Sequence, residues 1–323
     1  MILQRCAFAF CMLTSLGIHQ AVAASLYTFD DLAVPGNYEH GATLSGINDS
    51  GTIVGTAMGS FYVDTGLVLA NGVLSKVTFP NSSSSFSGIA NSGSAILNDQ
   101  ITGNNYAWDT QTGTASLLNL PFTPVALNSA GQIVGTASQW SDSLQGNVTQ
   151  GVLSSGGTET VIDFPGATDT SLTGINDAGE VVGTYRTGSV SSGFSDNNGV
   201  FTSIAYPGAI STTVTGINDE GDIVGTFADP SELFQHGFLL HQGQYTEIDD
   251  PLALSDSWST TPLGINDQGV IVGAIGGSGN AEGDTAPFIA TPVPEPTGAF
   301  VLLLPALLLT LVRSRSSDSA SEQ

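Results

Sequence analysis

The sequence predicts an all-β chain folded as a six-bladed β-propeller, and three observations carry that expectation. First, the segment Gly174-Ile175-Asn176-Asp177-Ala178-Gly179-Glu180-Val181-Val182-Gly183-Thr184 reads as a β-hairpin, and close copies occupy residues 46–56, 216–226 and 264–274, with looser ones at 126–136 and 88–97. Second, the turn asparagines or their equivalents, Asn48, Asn91, Asn128, Asn176, Asn218 and Asn266, recur on average about every 44 residues, inside the roughly 40–50 residues of one propeller blade. Third, the opening strand Leu26-Tyr27-Thr28-Phe29-Asp30-Asp31 resembles Tyr245-Thr246-Glu247-Ile248-Asp249-Asp250, and the last repeat lacks such a strand. The first strand is therefore expected to complete the last blade and close the ring. An open solenoid would need distinct capping units at its ends.

The chain divides into residues 1–24, 25–292, 293–315 and 316–323. The first segment reads as a secretory signal peptide. Arg5 supplies the positive start, residues 6–18 the apolar run, and Ala21-Val22-Ala23 the small-x-small cleavage region. Both cysteines, Cys6 and Cys11, fall in this leader, so its removal leaves no thiol for a disulfide or a metal.

Residues 25–292 hold the repeats. In each hairpin the asparagine caps the turn and glycine takes the left-handed position that a type I turn plus bulge requires. The strands after the turns (Val181-Val182, Ile223-Val224, Ile271-Val272) are apolar on consecutive residues, as expected for burial on both faces. The glycine after each pair signals a bulge or a close backbone approach. A third strand follows, such as Gly237-Phe238-Leu239-Leu240, and then a fourth that ends on a Pro-Gly corner at Pro165-Gly166 and Pro207-Gly208. Proline ends ladder pairing there, and the chain leaves the sheet. No helix is expected in this body.

These residues resemble the extracellular repeat family named for a His-Ala-Phe motif, which combines a Gly-Ile-Asn-Asp-x-Gly hairpin with a downstream His-containing strand. The hairpin copies span most of residues 46–274, and the His element stands once, as His236-Gly237-Phe238. The resemblance implies an exported location and no established activity.

The tail Val293-Pro294-Glu295-Pro296, an apolar run over residues 298–312 and Arg313-Ser314-Arg315 resemble a PEP-CTERM sorting signal. The motif residues are Pro294, Glu295, Pro296, Arg313 and Arg315. The resemblance implies a Gram-negative bacterium, transient residence in the inner membrane, and processing by an exosortase-type enzyme. Fifteen apolar residues at about 1.5 Å each fall short of a hydrocarbon core of about 30 Å, which suits a temporary stop in a short hydrophobic helix.

Composition narrows the partners. Lys+Arg is 5 against 29 Asp+Glu, a net charge of −24, and Lys76 and Arg186 are the only cationic residues between Ser25 and Thr297. Nucleic acid needs clustered Lys/Arg and is excluded on that ground. The mature histidines, His40, His236 and His241, form no His-Glu-x-x-His pattern, and no Gly-x-Ser-x-Gly elbow is present. No catalytic residue, metal ligand or cofactor is assigned. Asp49, Asp177, Asp219 and Asp267 recur at equivalent turns and offer oxygen ligands to calcium, but the Asn-Asp-x-Gly turn already explains them. Trp140 and Trp258 sit in polar segments and could stack on a sugar. The expected protein is a non-enzymatic propeller, secreted or at the cell surface, in an exopolysaccharide matrix with extracellular polysaccharide as a candidate partner. The alternatives are a glycan-binding module assisted by calcium and, third, an extracellular hydrolase.

Overall fold

The computed structural model describes residues 26–34, 41–59, 63–78, 83–142, 146–231, 234–256, 258–276 and 285–294. The main compact unit runs over Phe29–Thr291, and the described residues of a second unit are 26–28 and 292–294. The leader with Ala21 and Ala23, His40, and the tail residues Glu295, Pro296, Arg313 and Arg315 lie outside the described residues, as does the apolar run of the tail. Among the described residues, no helix is long and apolar enough to cross a membrane.

Six four-stranded antiparallel sheets make up the body. Strand β1 is Tyr27–Asp31. Blade 1 contains β2–β5 (Ala42–Ile47, Ile53–Ala57, Thr65–Ala70, Val73–Val77) and blade 2 contains β6–β9 (Ser84–Ile89, Ser94–Asp99, Asn105–Asp109, Thr114–Leu118). Blade 3 contains β10–β13 (Thr123–Leu127, Ile133–Ser141, Gly146–Ser155, Thr158–Ile162), and blade 4 contains β14–β17 (Asp169–Ile175, Val181–Thr187, Val190–Asn197, Val200–Ile204). Blade 5 contains β18–β21 (Ser211–Ile217, Ile223–Ala228, Gln235–His241, Gln244–Glu247), and blade 6 contains β22–β24 (Ser259–Ile265, Ile271–Gly276, Thr285–Pro292). Its sheet order is β1-β24-β23-β22, so the first strand of the chain supplies the outer strand of the last blade. Phe29 packs its ring 5.6 Å from Phe288, and Leu32 N–H donates to Pro287 O. The ring is closed as the sequence predicts, and such closure leaves only short sheet edges.

The doubly buried strands are second from the axis. β3, β15, β19 and β23 bury consecutive residues, with Val54, Val182, Val224 and Val272 fully enclosed between blades. The first strand of each blade carries the bulge. In β14 the register skips Thr173 between Leu172 and Gly174, and the same shift occurs in the other five blades. The glycine opposite, predicted from sequence as a close approach, is one. A Cβ on Gly183 would lie 2.2 Å from Ser171 O and 2.9 Å from the Phe194 ring, and Gly225 and Gly273 meet Phe238 and Phe288 in the same way. Each of these phenylalanines of the third strand thus packs its ring against a glycine of the second. Phe194, Phe238 and Phe288 are fully buried, worth about 1.5–3 kcal/mol each by area.

One expectation fails. The body contains a helix, α1 (Pro251–Asp256), in the corner between blades 5 and 6. Asp250 caps it, its Oδ1 accepting Leu252 N–H at 2.7 Å, and Pro251 takes the first helical position, where a missing N–H costs nothing. The Asp-Pro pair carried that signal. Blades 3 and 4 turn the same corner with Phe164-Pro165-Gly166-Ala167 and Tyr206-Pro207-Gly208-Ala209, closed by Ala167 N–H to Phe164 O and Ala209 N–H to Tyr206 O.

Candidate functional site

The six hairpin turns meet around the axis at one end of the ring. Their glycines, Gly51, Gly93, Gly131, Gly179, Gly221 and Gly269, all have φ between 73° and 85°, the left-handed region that favours glycine. Within a turn, Asn176 Oδ1 accepts Glu180 N–H at 2.9 Å, and Asn48, Asn128, Asn218 and Asn266 accept from Thr52, Gln132, Asp222 and Val270 in the same way. The other end of each amide reaches the next blade. Asn48 Nδ2 donates to Ala90 O, Asn128 to Asn176 O, Asn176 to Asn218 O, Asn218 to Asn266 O, and Asn266 back to Asn48 O. These five asparagines are all buried.

Blade 2 corrects the sequence reading. Asn91 was assigned as its turn asparagine, but Ala90 occupies that slot, since Gly93 N–H donates to Ala90 O and Ala90 N–H to Ser94 O. Asn91 stands where the other hairpins carry Asp or Ser. The link from blade 2 to blade 3 through a buried amide is therefore missing.

A second ring lies on the first. Asp49 N–H donates to Asn91 Oδ1, Ser92 N–H to Ser129 Oγ, Ser129 N–H to Asp177 Oδ1, Asp177 N–H to Asp219 Oδ1, Asp219 N–H to Asp267 Oδ1, and Asp267 N–H to Asp49 Oδ1, at 2.6–3.0 Å. Asn91 Nδ2 also reaches Asp219 Oδ2 at 3.0 Å. The carboxylates of Asp49, Asp219 and Asp267 offer oxygens within 4.8 Å of one another. Burial pushes the Asp267 carboxyl up, Asp49 and Asp219 add to the rise, and the N–H of Asp219 opposes it. The cavity here, lined by the Asn and Asp of the turns, is about 50 Å³, room for a few waters and too small for a sugar ring. Chemically, this mouth presents only oxygen ligands, and one oxygen of each carboxylate already accepts a backbone N–H.

A second cluster lies on blade 5, away from the axial turns. His236, buried on β20, has its Nδ1 2.5 Å from Asp249 Oδ2 and 3.9 Å from Glu247 Oε1. Its ring stacks on Phe227 at 5.1 Å and lies 5.1 Å from Phe234. Asp249 Oδ1 accepts Gly237 N–H at 3.1 Å. Burial raises the Tyr206 phenol above its usual range, and Glu247 and Asp249 add to that shift. His241, at the other end of β20, is exposed and pairs through Nδ1 with Asp222 at 2.6 Å. The two histidines thus face opposite sides of the strand, as their odd spacing predicts.

The third feature is a cavity of about 310 Å³ between blades 3 and 4, lined by Gln150, Asp163, Thr168, Asp169 and neighbours. β11 and β12 extend beyond the other hairpins and carry Trp140, 58% exposed, its Nε1 donating to Asp142. By strand alternation Trp140 shares a face with Thr149 and faces away from Val148 and Gln150, and all three of those residues line the cavity. Trp258 is half-buried beside α1, its N–H donating to Ala253 O. Of the predicted sorting residues only Pro294 is described, exposed beyond β24.

Against known proteins, no family model matches the chain and no curated protein does. Solved structures share its fold. A TolB-like protein from Agrobacterium tumefaciens aligns over 79% of this chain and 90% of its own at 13% identity, TM-score 0.50. A catalytically inactive virginiamycin B lyase from Staphylococcus aureus aligns over 83% and 100% at 13% identity, TM-score 0.44. An acylaminoacyl peptidase from Pyrococcus horikoshii aligns over 82% of this chain and 54% of its own at 10% identity, TM-score 0.48. The six four-stranded sheets define the propeller class, and the likeness to the TolB-like protein is one of fold alone.

Proposed function

We propose that this chain is an exported, non-enzymatic β-propeller, displayed at or released from the cell surface and processed through its Pro-Glu-Pro tail by an exosortase-type enzyme. Its setting is the extracellular polysaccharide matrix. The observation that carries the non-enzymatic part is at the axial mouth. The recurrent polar residues there hold blade to blade, through five buried asparagine links and six outer hydrogen bonds, so they serve as joints. The signal-peptide pattern of residues 1–24 and the PEP-CTERM resemblance support the export part.

Cell fractionation tests the export route. The full chain, epitope-tagged in a surface loop, should reach the medium or outer surface in a Gram-negative host that has an exosortase. Removal of residues 293–323 should abolish processing, and a chain held in the cytoplasm would end the proposal.

The cavity between blades 3 and 4 favours one second reading, a glycan-binding module. Planar amide and carboxylate groups with hydroxyls around them suit a sugar unit. A panel of polysaccharides should then raise the melting temperature of the protein, and Gln150→Ala should remove the rise. Flat melts across the panel would leave the scaffold reading alone.

A further inference from the structure

The corners of blades 3 and 5 are built on one plan, and their differences point to a ligand. In blade 3, Gly151 N–H donates to Asp163 Oδ1 at 3.2 Å and Gln150 Nε2 to Asp163 Oδ2 at 3.0 Å. In blade 5, Gly237 N–H donates to Asp249 Oδ1 at 3.1 Å, and His236 Nδ1 stands where the amide nitrogen stood, 2.5 Å from Asp249 Oδ2. Gln150 shows that a neutral amide is enough to hold this corner. Blade 5 replaces it with an imidazole and adds a carboxylate, Glu247, two residues before Asp249. The matching residue in blade 3 is Val161.

One imidazole nitrogen has a single proton or lone pair to offer, yet two carboxylates converge on this one. The only Lys and Arg between Ser25 and Thr297 are Lys76, on β5 of blade 1, and Arg186, on β15 of blade 4. Two carboxylates and a neutral imidazole match the charge of a divalent cation. Phe227 and Phe234 pack against the ring and restrict its orientation. Glu247 has half its side chain in solvent and leaves a way in.

We propose that His236 Nδ1, Asp249 Oδ2 and Glu247 Oε1 form a binding site for one divalent ion of the zinc type. One ligand atom of each residue lies within 4.8 Å of those of the other two. Tetrahedral zinc holds its nitrogen and oxygen ligands at about 2.0–2.2 Å, hence about 3.4 Å apart. Binding therefore parts the imidazole and Asp249 by about 1 Å and draws Glu247 in by about half an ångström. A nitrogen ligand with two oxygens selects zinc or a neighbouring transition metal over calcium, which takes 6–8 oxygens. The axial Asp49, Asp219 and Asp267, all oxygen and already tied to backbone, form a contrasting cluster.

The test is calorimetric titration of zinc into the metal-stripped full chain, purified in mild detergent, beside three variants. His236→Gln recreates the blade 3 pairing and keeps the fold, and Glu247→Gln changes a half-exposed group. Both retain Cys6, Cys11 and every other candidate ligand, so differences from the natural chain isolate this site. One zinc per chain is expected, with affinity falling at least tenfold in His236→Gln and severalfold in Glu247→Gln, and unchanged in Asp267→Asn. A zinc-dependent rise in melting temperature should vanish in His236→Gln. Equal affinity in the natural chain and His236→Gln, or no saturable binding, would overturn the site.

Discussion

The axial turns and the outer strands come from the same repeats, yet they tolerate very different sequences. At the axis, five of six turns keep a buried asparagine, and each turn is tied to the next by side chain and backbone. At the rim, the fourth strands read as mostly exposed: β9 and β13 expose four of their five residues each, and β5 and β17 three each. The buried asparagine of an axial turn must satisfy its own turn and its neighbour away from water, where an unpaired polar group costs about 1–3 kcal/mol. A rim strand pairs on one side and meets solvent on the other. The axis holds the ring together, and the rim is where individual blades acquire features of their own, such as the His236 cluster and the cavity beside Gln150.

Substitutions can break that contrast, in descending order of effect. Phe194→Ala should be worst, about 3–5 kcal/mol by chemical denaturation. Phe194 is fully buried against Gly183 and the rings of Phe164, Tyr185 and Phe201. Asn176→Ala should cost about 1–3 kcal/mol, because it leaves the part-buried Glu180 N–H without its acceptor and removes the link between blades to Asn218 O, which then keeps only Gly221 N–H. An equal loss on replacing an exposed rim residue such as Val161 would erase the distinction between the two regions. Ala90→Asn sharpens it from the other side. If the slot is equivalent to the other five, the new amide restores the missing link to blade 3, and stability should rise by about 0.5–1.5 kcal/mol.

The smallest effect is pH-linked. Burial and the nearby Asp49 and Asp219 raise the Asp267 carboxyl in the folded state. The folded protein then binds a proton more readily than the unfolded one, so this residue weakens the fold progressively as pH rises past the ordinary carboxyl value of 3.8, and fully above the raised value. Asp267→Asn keeps the oxygen that accepts Asp219 N–H and removes the charge. It should raise the melting temperature slightly near pH 7, within about 0.5 kcal/mol, and the gain should disappear in acid, where the natural carboxyl is already neutral. A gain that grew on acidification would contradict this account.

Much of the candidate chemistry was visible only in part before folding. The Asn-Asp-x-Gly turns were legible as local turn chemistry, and Asn Oδ1 and the left-handed glycines do that work. Their second role, between blades, was not legible, because Asn218 O lies 42 residues from the Asn176 amide that reaches it. The sequence separated His236 from His241 by strand parity, but it could not place His236 beside Asp249. That contact depends on the hairpin register, which brings Leu240 opposite Tyr245 and Phe238 opposite Glu247. The slip at Asn91 has the same origin. A degenerate hairpin offers two asparagine-like slots one residue apart, and only the ladder tells them apart.

The amino-acid order by itself determined the repeat, its period, the four strands per unit and the strand that closes the ring, because hydrophobic spacing and turn residues act over a few neighbours. Tertiary structure alone decided which turn groups face one another, that three axial carboxylates share one mouth, and that an imidazole meets two carboxylates on blade 5. Those facts depend on distances between segments tens to hundreds of residues apart. Such distances are set by how the blades pack around the axis, and no local preference specifies them.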